Sequence, residues 1–81
     1  MNDDKAKRIV REYVDERLGS SDSAHRYDVF IVWKCKALQN CKYLLGTNLH
    51  DDMYYELTYN GDKNEAYLDV YTKIENVVID F

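Results

Sequence analysis

The stretch MYYELTYNGDKNEAYLDVY, residues 53–71, decides the fold. Two runs of alternating apolar and polar side chains flank Asn60-Gly61, and an Asn-Gly pair in that setting is the strongest short-range signal for a β-hairpin. Alternation also restricts the loop, because a slip of one residue turns a strand's apolar set to the wrong face. A three-residue loop would oppose Leu57 to Glu65 and Tyr55 to Tyr67, so it is rejected. A four-residue loop at positions 60–63 sets Leu57 opposite Ala66, Tyr55 opposite Leu68 and Met53 opposite Val70. A two-residue loop keeps the same faces, with Tyr55 opposite Ala66 and Met53 opposite Leu68. The four-residue loop is preferred for its three matched apolar pairs. The opposite face then carries Tyr54, Glu56, Thr58, Glu65, Tyr67, Asp69 and Tyr71, a mixture of tyrosine and carboxylate.

Upstream of the hairpin, residues 27–35 are rich in β-branched and aromatic side chains and read as a central strand. Strict alternation places Val29, Ile31, Trp33 and Cys35 on one face and Phe30, Val32, Lys34 and Lys36 on the other. Lys34 and Lys36 would then pair across strands with Glu56 or Asp69. Residues 37–46 support two readings. Ala37, Leu38, Cys41 and Leu45 have helical spacing with Gly46 as a stop; alternatively Gln39-Asn40 is a turn and residues 41–47 pair back on the preceding strand. The strand is favoured, although periodicity does not arbitrate so short a run.

At the N-terminal side, Ala6, Ile9, Val10, Tyr13, Val14 and Leu18 recur at spacings of three and four, which builds one apolar stripe on a helix over residues 3–18. Asn2 or Asp3 caps its start, Asp3 and Asp4 suit the positive end of its dipole, and Gly19 supplies the stop. The polar string Ser20-Ser21-Asp22-Ser23-Ala24 is a connector. At the other end, Ile74, Val77, Val78, Ile79 and Phe81 form a run too apolar for a free tail, expected to dock on the sheet or on a second copy of the chain. The resulting expectation is a single α+β domain over residues 1–81, in two layers. Its N-terminal helix packs on an antiparallel β-meander of three to four strands.

With 81 residues, 46% hydrophobic and 32% charged, the chain has enough apolar content for one core. No transmembrane run or secretion signal is evident, so a cytoplasmic protein without a membrane partner is expected. The net charge of −4 is concentrated at the end: residues 51–81 carry eight carboxylates against Lys63 and Lys73. That imbalance counts against phosphate binding by this half and suits a basic protein surface.

Residue patterns that could carry chemistry are sparse. Cys35 and Cys41 are too few for a disulfide framework and read as small apolar fillers; zinc binding with His25 and His50 lacks the usual ligand spacing. His50-Asp51-Asp52 offers adjacent oxygen and nitrogen ligands, but neighbours in sequence seldom converge on one ion. The segment from Asn60 to Glu65 has the oxygen pattern of a calcium loop at half the length, and its turn role already explains Asn60, Gly61 and Asp62. With no phosphate-binding loop and no activated-nucleophile signature, the expectation is no enzyme, no metal and no cofactor.

Several motifs together resemble a known family. Leu38-Gln39-Asn40 followed by Lys42, then Tyr54-Tyr55-Glu56 with Thr58-Tyr59-Asn60-Gly61-Asp62-Lys63, and then Tyr67-Leu68-Asp69-Val70-Tyr71 are similar to a family of small proteins of unknown function. That family is carried by phages, prophages and integrative elements of Gram-positive bacteria. The likeness spans about residues 27–73, departs at Cys41 where the pattern has a tryptophan, and implies a mobile-element setting without any catalytic residue.

The tyrosines give the functional expectation. One helix covers one face of a sheet, which leaves Phe30, Val32, Tyr43, Leu45, Tyr54, Tyr67 and Tyr71 as a tyrosine-rich patch on the other. The leading reading is a non-enzymatic interaction or accessory protein that binds itself, as a homodimer, or a host protein through this patch. In a blander reading these side chains cover one another and meet the C-terminal run. The alternative function is nucleic-acid binding through Lys5, Lys7, Arg8 and Arg11, or by stacking beside Lys34, Lys36 and Lys42.

Overall fold

The Asn2 side chain accepts a hydrogen bond from the Lys5 backbone N–H at 2.8 Å, which starts the helix where the sequence places its cap. In the computed structural model, which describes residues 1–19 and 27–81, α1 runs Asp3–Leu18. It ends at Gly19, whose φ of +78° only glycine adopts freely and whose N–H donates to the Asp15 carbonyl at 3.0 Å. Ala6, Val10 and Val14 are fully buried, and Ile9 and Leu18 pack beside them. Tyr13 sits at the margin of the stripe, its ring edge-on to Tyr55 with centroids 6.0 Å apart.

Four strands follow: β1 Val29–Ala37, β2 Asn40–Thr47, β3 Met53–Asn60 and β4 Glu65–Thr72. They pair antiparallel in the order β1-β2-β3-β4, a meander with α1 on one face, so the expected α+β class holds. Residues 37–46 are therefore strand and turn rather than helix. The turn is Leu38-Gln39, between the paired residues Ala37 and Asn40 and one position earlier than the sequence indicates.

Three details depart from the sequence reading. In the β3–β4 hairpin, Asn60 pairs with Glu65, so the four-residue loop is 61–64; Leu57 faces Leu68, Tyr55 faces Val70 and Tyr59 faces Ala66. The register is displaced by two residues, which preserves both faces. Secondly, β1 carries a bulge: Ile31 lies opposite Leu45, but Trp33 lies opposite Leu44, leaving Val32 without a partner. An unpaired residue interrupts the alternation, so Lys34 falls opposite the buried Tyr43 and Lys36 opposite Cys41, on the helix side. Lys34 Nζ meets both carboxylate oxygens of Asp3 at 3.0 Å instead of reaching Glu56 or Asp69. Thirdly, residues 73–81 form no helix or strand and do not dock on the sheet of their own chain; Ile74 is 94% and Val78 88% exposed.

The core lies between α1 and the inner sheet face, where Tyr43, Leu45, Tyr55 and Leu57 join Ala6, Val10 and Val14. Burying a side chain of the size of Val10, Val14, Leu45 or Leu57 stabilises by about 1.5–3 kcal/mol. Tyr27 ties the start of β1 to the helix: its hydroxyl donates to Asp15 Oδ1 at 2.6 Å, and the Arg11 guanidinium lies over its ring at 4.8 Å. Arg11 Nη2 also donates to the Tyr27 carbonyl at 3.3 Å. The serine-rich connector and His25 lie outside the described residues.

Candidate functional site

Cross-strand pairing converts the outer sheet face into rows. Phe30, Gly46, Tyr54 and Tyr71 make the first row across all four strands. Trp33, Leu44, Glu56 and Asp69 make the second; Cys35, Lys42, Thr58 and Tyr67 make the third. Among the described residues no helix or strand lies over this face, and Phe30, Trp33 and Tyr71 are 43%, 52% and 51% exposed.

Gly46 shapes the first row. A Cβ there would stand 3.1 Å from two atoms of the Phe30 ring, so the missing side chain lets that ring lie down on the sheet. Tyr54 and Tyr71 face each other across β3 and β4 and continue the aromatic row to the sheet's edge. The second row is amphipathic, with Trp33 and Leu44 at one end and two carboxylates at the other. Lys42 Nζ reaches Glu56 Oε1 at 3.5 Å, and the Tyr67 hydroxyl donates to the Glu65 carboxylate, which pushes the phenol's pKa up. The surface is thus aromatic with a mostly acidic surround.

Of the expected patch, Phe30, Val32, Tyr54, Tyr67 and Tyr71 lie exposed: the alternation along β3 and β4 places the three tyrosines on the outer face, Phe30 lies beside Gly46 on it, and Val32 is the unpaired residue of the bulge. Tyr43 and Leu45 do not belong to it. Tyr43 is 5% exposed and Leu45 fully buried, because β2 turns Cys41, Tyr43 and Leu45 toward the helix. The Tyr43 hydroxyl points to Asp3 Oδ1 at 3.5 Å, and burial pushes its pKa up. Trp33 belongs to the outer patch and the alternation rule missed it. The signal was present in β2, where Lys42 and Gly46 mark the solvent side and so assign Tyr43 and Leu45 to the core.

The basic residues do not converge. Lys5 and Arg8 are exposed on α1, Lys7 is half-buried, and Arg11 is engaged by Tyr27. Lys34 and Lys36 stand on the helix side of the sheet, whereas Lys42 stands on the outer side. In the loop before β3, Asp51 accepts from the Met53 N–H at 3.2 Å and pairs with Arg17 at 3.0 Å, while Asp52 pairs with Lys73. These carboxylates thus serve the loop and its neighbours. Among the described residues no three His, Cys, Asp or Glu side chains group to hold a metal ion. Among them, too, no helix is long and apolar enough to cross a membrane.

Fold and surface together define a small α+β fold: the N-terminal helix lies beneath an antiparallel four-strand meander whose second face, among the described residues, is open and aromatic. The chain belongs to DUF6275, a family of unknown function, whose model matches residues 3–81. No curated protein matches the chain. No solved structure matches it either.

Proposed function

We propose that this protein is a non-enzymatic accessory factor of a mobile genetic element that binds a protein partner through the outer sheet face. One observation carries the reading: Phe30, Trp33, Tyr54 and Tyr71 present four large rings on one sheet face that is left open among the described residues. Aromatic side chains offer much contact area at little entropic cost and are favoured at the centres of interfaces. Glu56, Glu65 and Asp69 lie among them against Lys42, so a partner with basic groups around an apolar centre is favoured. The mobile-element setting rests on the resemblance over residues 27–73. Nucleic-acid binding is the weaker reading, since the lysines lie on opposite sides of the sheet and the chain carries a net charge of −4.

The test is capture of partners by tagged chain from a Gram-positive host lysate, with and without nuclease, beside the double variant Tyr67→Ala/Tyr71→Ala. A protein retained in both nuclease arms and lost by a folded double variant is the expected result. Retention by the folded double variant, or loss on nuclease treatment alone, would overturn the proposal.

A further inference from the structure

Residues 77–81 and residues 33–37 have matching alternation. In the tail, Val77, Ile79 and Phe81 share one side of an extended chain, and Val78 and Asp80 share the other. In β1 beyond the bulge, Trp33 and Cys35 lie on the outer face with Ala37, while Lys34 and Lys36 lie on the helix side. β1 is an edge of the sheet, and among the described residues no strand pairs with its outer side. We propose that residues 77–81 of one copy add as a fifth strand to this edge of a second copy. An edge strand presents unpaired N–H and C=O groups, and an extended segment satisfies them by β-augmentation.

Charge selects this edge over the other. The tail carries Glu75 and Asp80, and β4 bears Glu65 and Asp69, so pairing there sets carboxylate beside carboxylate. The β1 edge bears Lys34 and Lys36, of which Lys36 has no ion pair among the described residues. Two β1 edges repel each other by the same lysines, so the acidic tail is the better mate. Whichever way the added strand runs, aligning residues 77–81 with 33–37 sets Asp80 beside Lys34 or Lys36. Both directions set Ile79 beside Cys35.

Geometry requires the tail to come from another chain. β4 and a strand added outside β1 are four strand spacings apart, about 19 Å. The tail leaves Thr72 at the end of the sheet where β1 begins, so residues 33–37 lie a further distance of about 10 Å or more along the strands. The five links from Thr72 to Val77 reach about 17 Å at full extension. The chain's radius of gyration, 14.2 Å against about 12 Å for a compact domain of this length, fits a tail held away from its own body.

The test uses the native thiol at Cys35, which is free and exposed. In Cys41→Ser/Ile79→Cys chains, mild oxidation with oxidised glutathione should link Cys35 to position 79 of another chain, because laterally paired strands hold Cα atoms within disulfide reach. Mixing isotope-labelled and unlabelled chains and sequencing the linked peptides separates inter-chain from intra-chain bonds. Light scattering of the unmodified protein should give at least twice 9.6 kDa, falling to a single chain when residues 77–81 are removed. Intra-chain linkage only, a monomeric unmodified protein at high concentration, or an oligomer that survives the truncation would each overturn the proposal. Tyr67→Ala/Tyr71→Ala should leave the cross-link intact, so this pairing fails or stands separately from partner binding by the sheet face.

Discussion

Replacing Gly61 by alanine probes how the two hairpin ends are seated on each other. A Cβ on Gly61 would collide with the Gln39 backbone carbonyl oxygen and stand 2.7 and 2.8 Å from Gln39 Cβ and Cγ. A backbone oxygen cannot rotate aside, so the 61–64 loop must lift. Its φ is not in the left-handed region, so the penalty comes from close approach alone. Lifting the loop stretches the 3.0 Å bond from the Gly61 N–H to Asn40 Oδ1 and the Gln39–Asp62 side-chain contact. Such bonds contribute about 0.5–1.5 kcal/mol each, and overpacking of this kind costs about 1–3 kcal/mol. The expected destabilisation is therefore about 1–3 kcal/mol, a fall in Tm of about 5–20 °C for a domain this small. Thermal and urea unfolding followed by circular dichroism would read it. Gly19→Ala is the useful contrast, because nothing lies within 4 Å of its would-be Cβ and only the φ of +78° is at issue. A Gly61→Ala melt within about 2 °C of the parent would refute the close-approach argument.

Leu38→Asn should stabilise the protein by about 0.5–1 kcal/mol, because Leu38 is 87% exposed and holds a φ of +56° that asparagine tolerates better. An unchanged or lowered urea midpoint would contradict that. Stability should also fall in alkali. Tyr27, Tyr43 and Tyr55 all have pKa values raised, chiefly by burial. The unfolded chain therefore loses these protons first. Stability is intact below about pH 10 and then declines by up to about 1.4 kcal/mol per pH unit for each tyrosine. Melts between about pH 9 and about pH 11, read beside tyrosinate absorbance, check it; a flat Tm across that window would refute it.

The helix and both faces of the β3–β4 hairpin were legible in the sequence because each rests on a period that several residues repeat. The register was not. A two-residue slip leaves every side chain on its own face, so apolar pairing alone cannot separate neighbouring even registers. The loop's own chemistry makes the choice: Asn60 Oδ1 accepts from the N–H groups of Asp62 and Lys63, and Asn64 takes the left-handed turn position at φ +53°. The patch was legible where it lies on β3 and β4. On β2 it was misread because residues 37–46 lacked a secure register, which put Tyr43 and Leu45 on the wrong side. Lys34 and Lys36 were misplaced for a different reason, since a bulge has no marker as plain as glycine or proline in the run around Val32.

The bulge also means that β1 has slack: its 9 residues lie against the 8 of β2. Deleting Val32 would take up that slack and move nothing else. Ile31 and Trp33 would become neighbours and alternate as they already do, with the indole outward and the Lys34 ammonium still on Asp3. Straightening the strand with all its residues kept is the costly course. Every side chain from Trp33 onward would change sides, carrying the indole in beside Tyr43 and bringing two ammonium groups out among the aromatic rings. β1 can therefore lose one residue at the bulge without turning any remaining side chain to the opposite face, whereas one residue gained in the paired part of the strand would need a second bulge to absorb it.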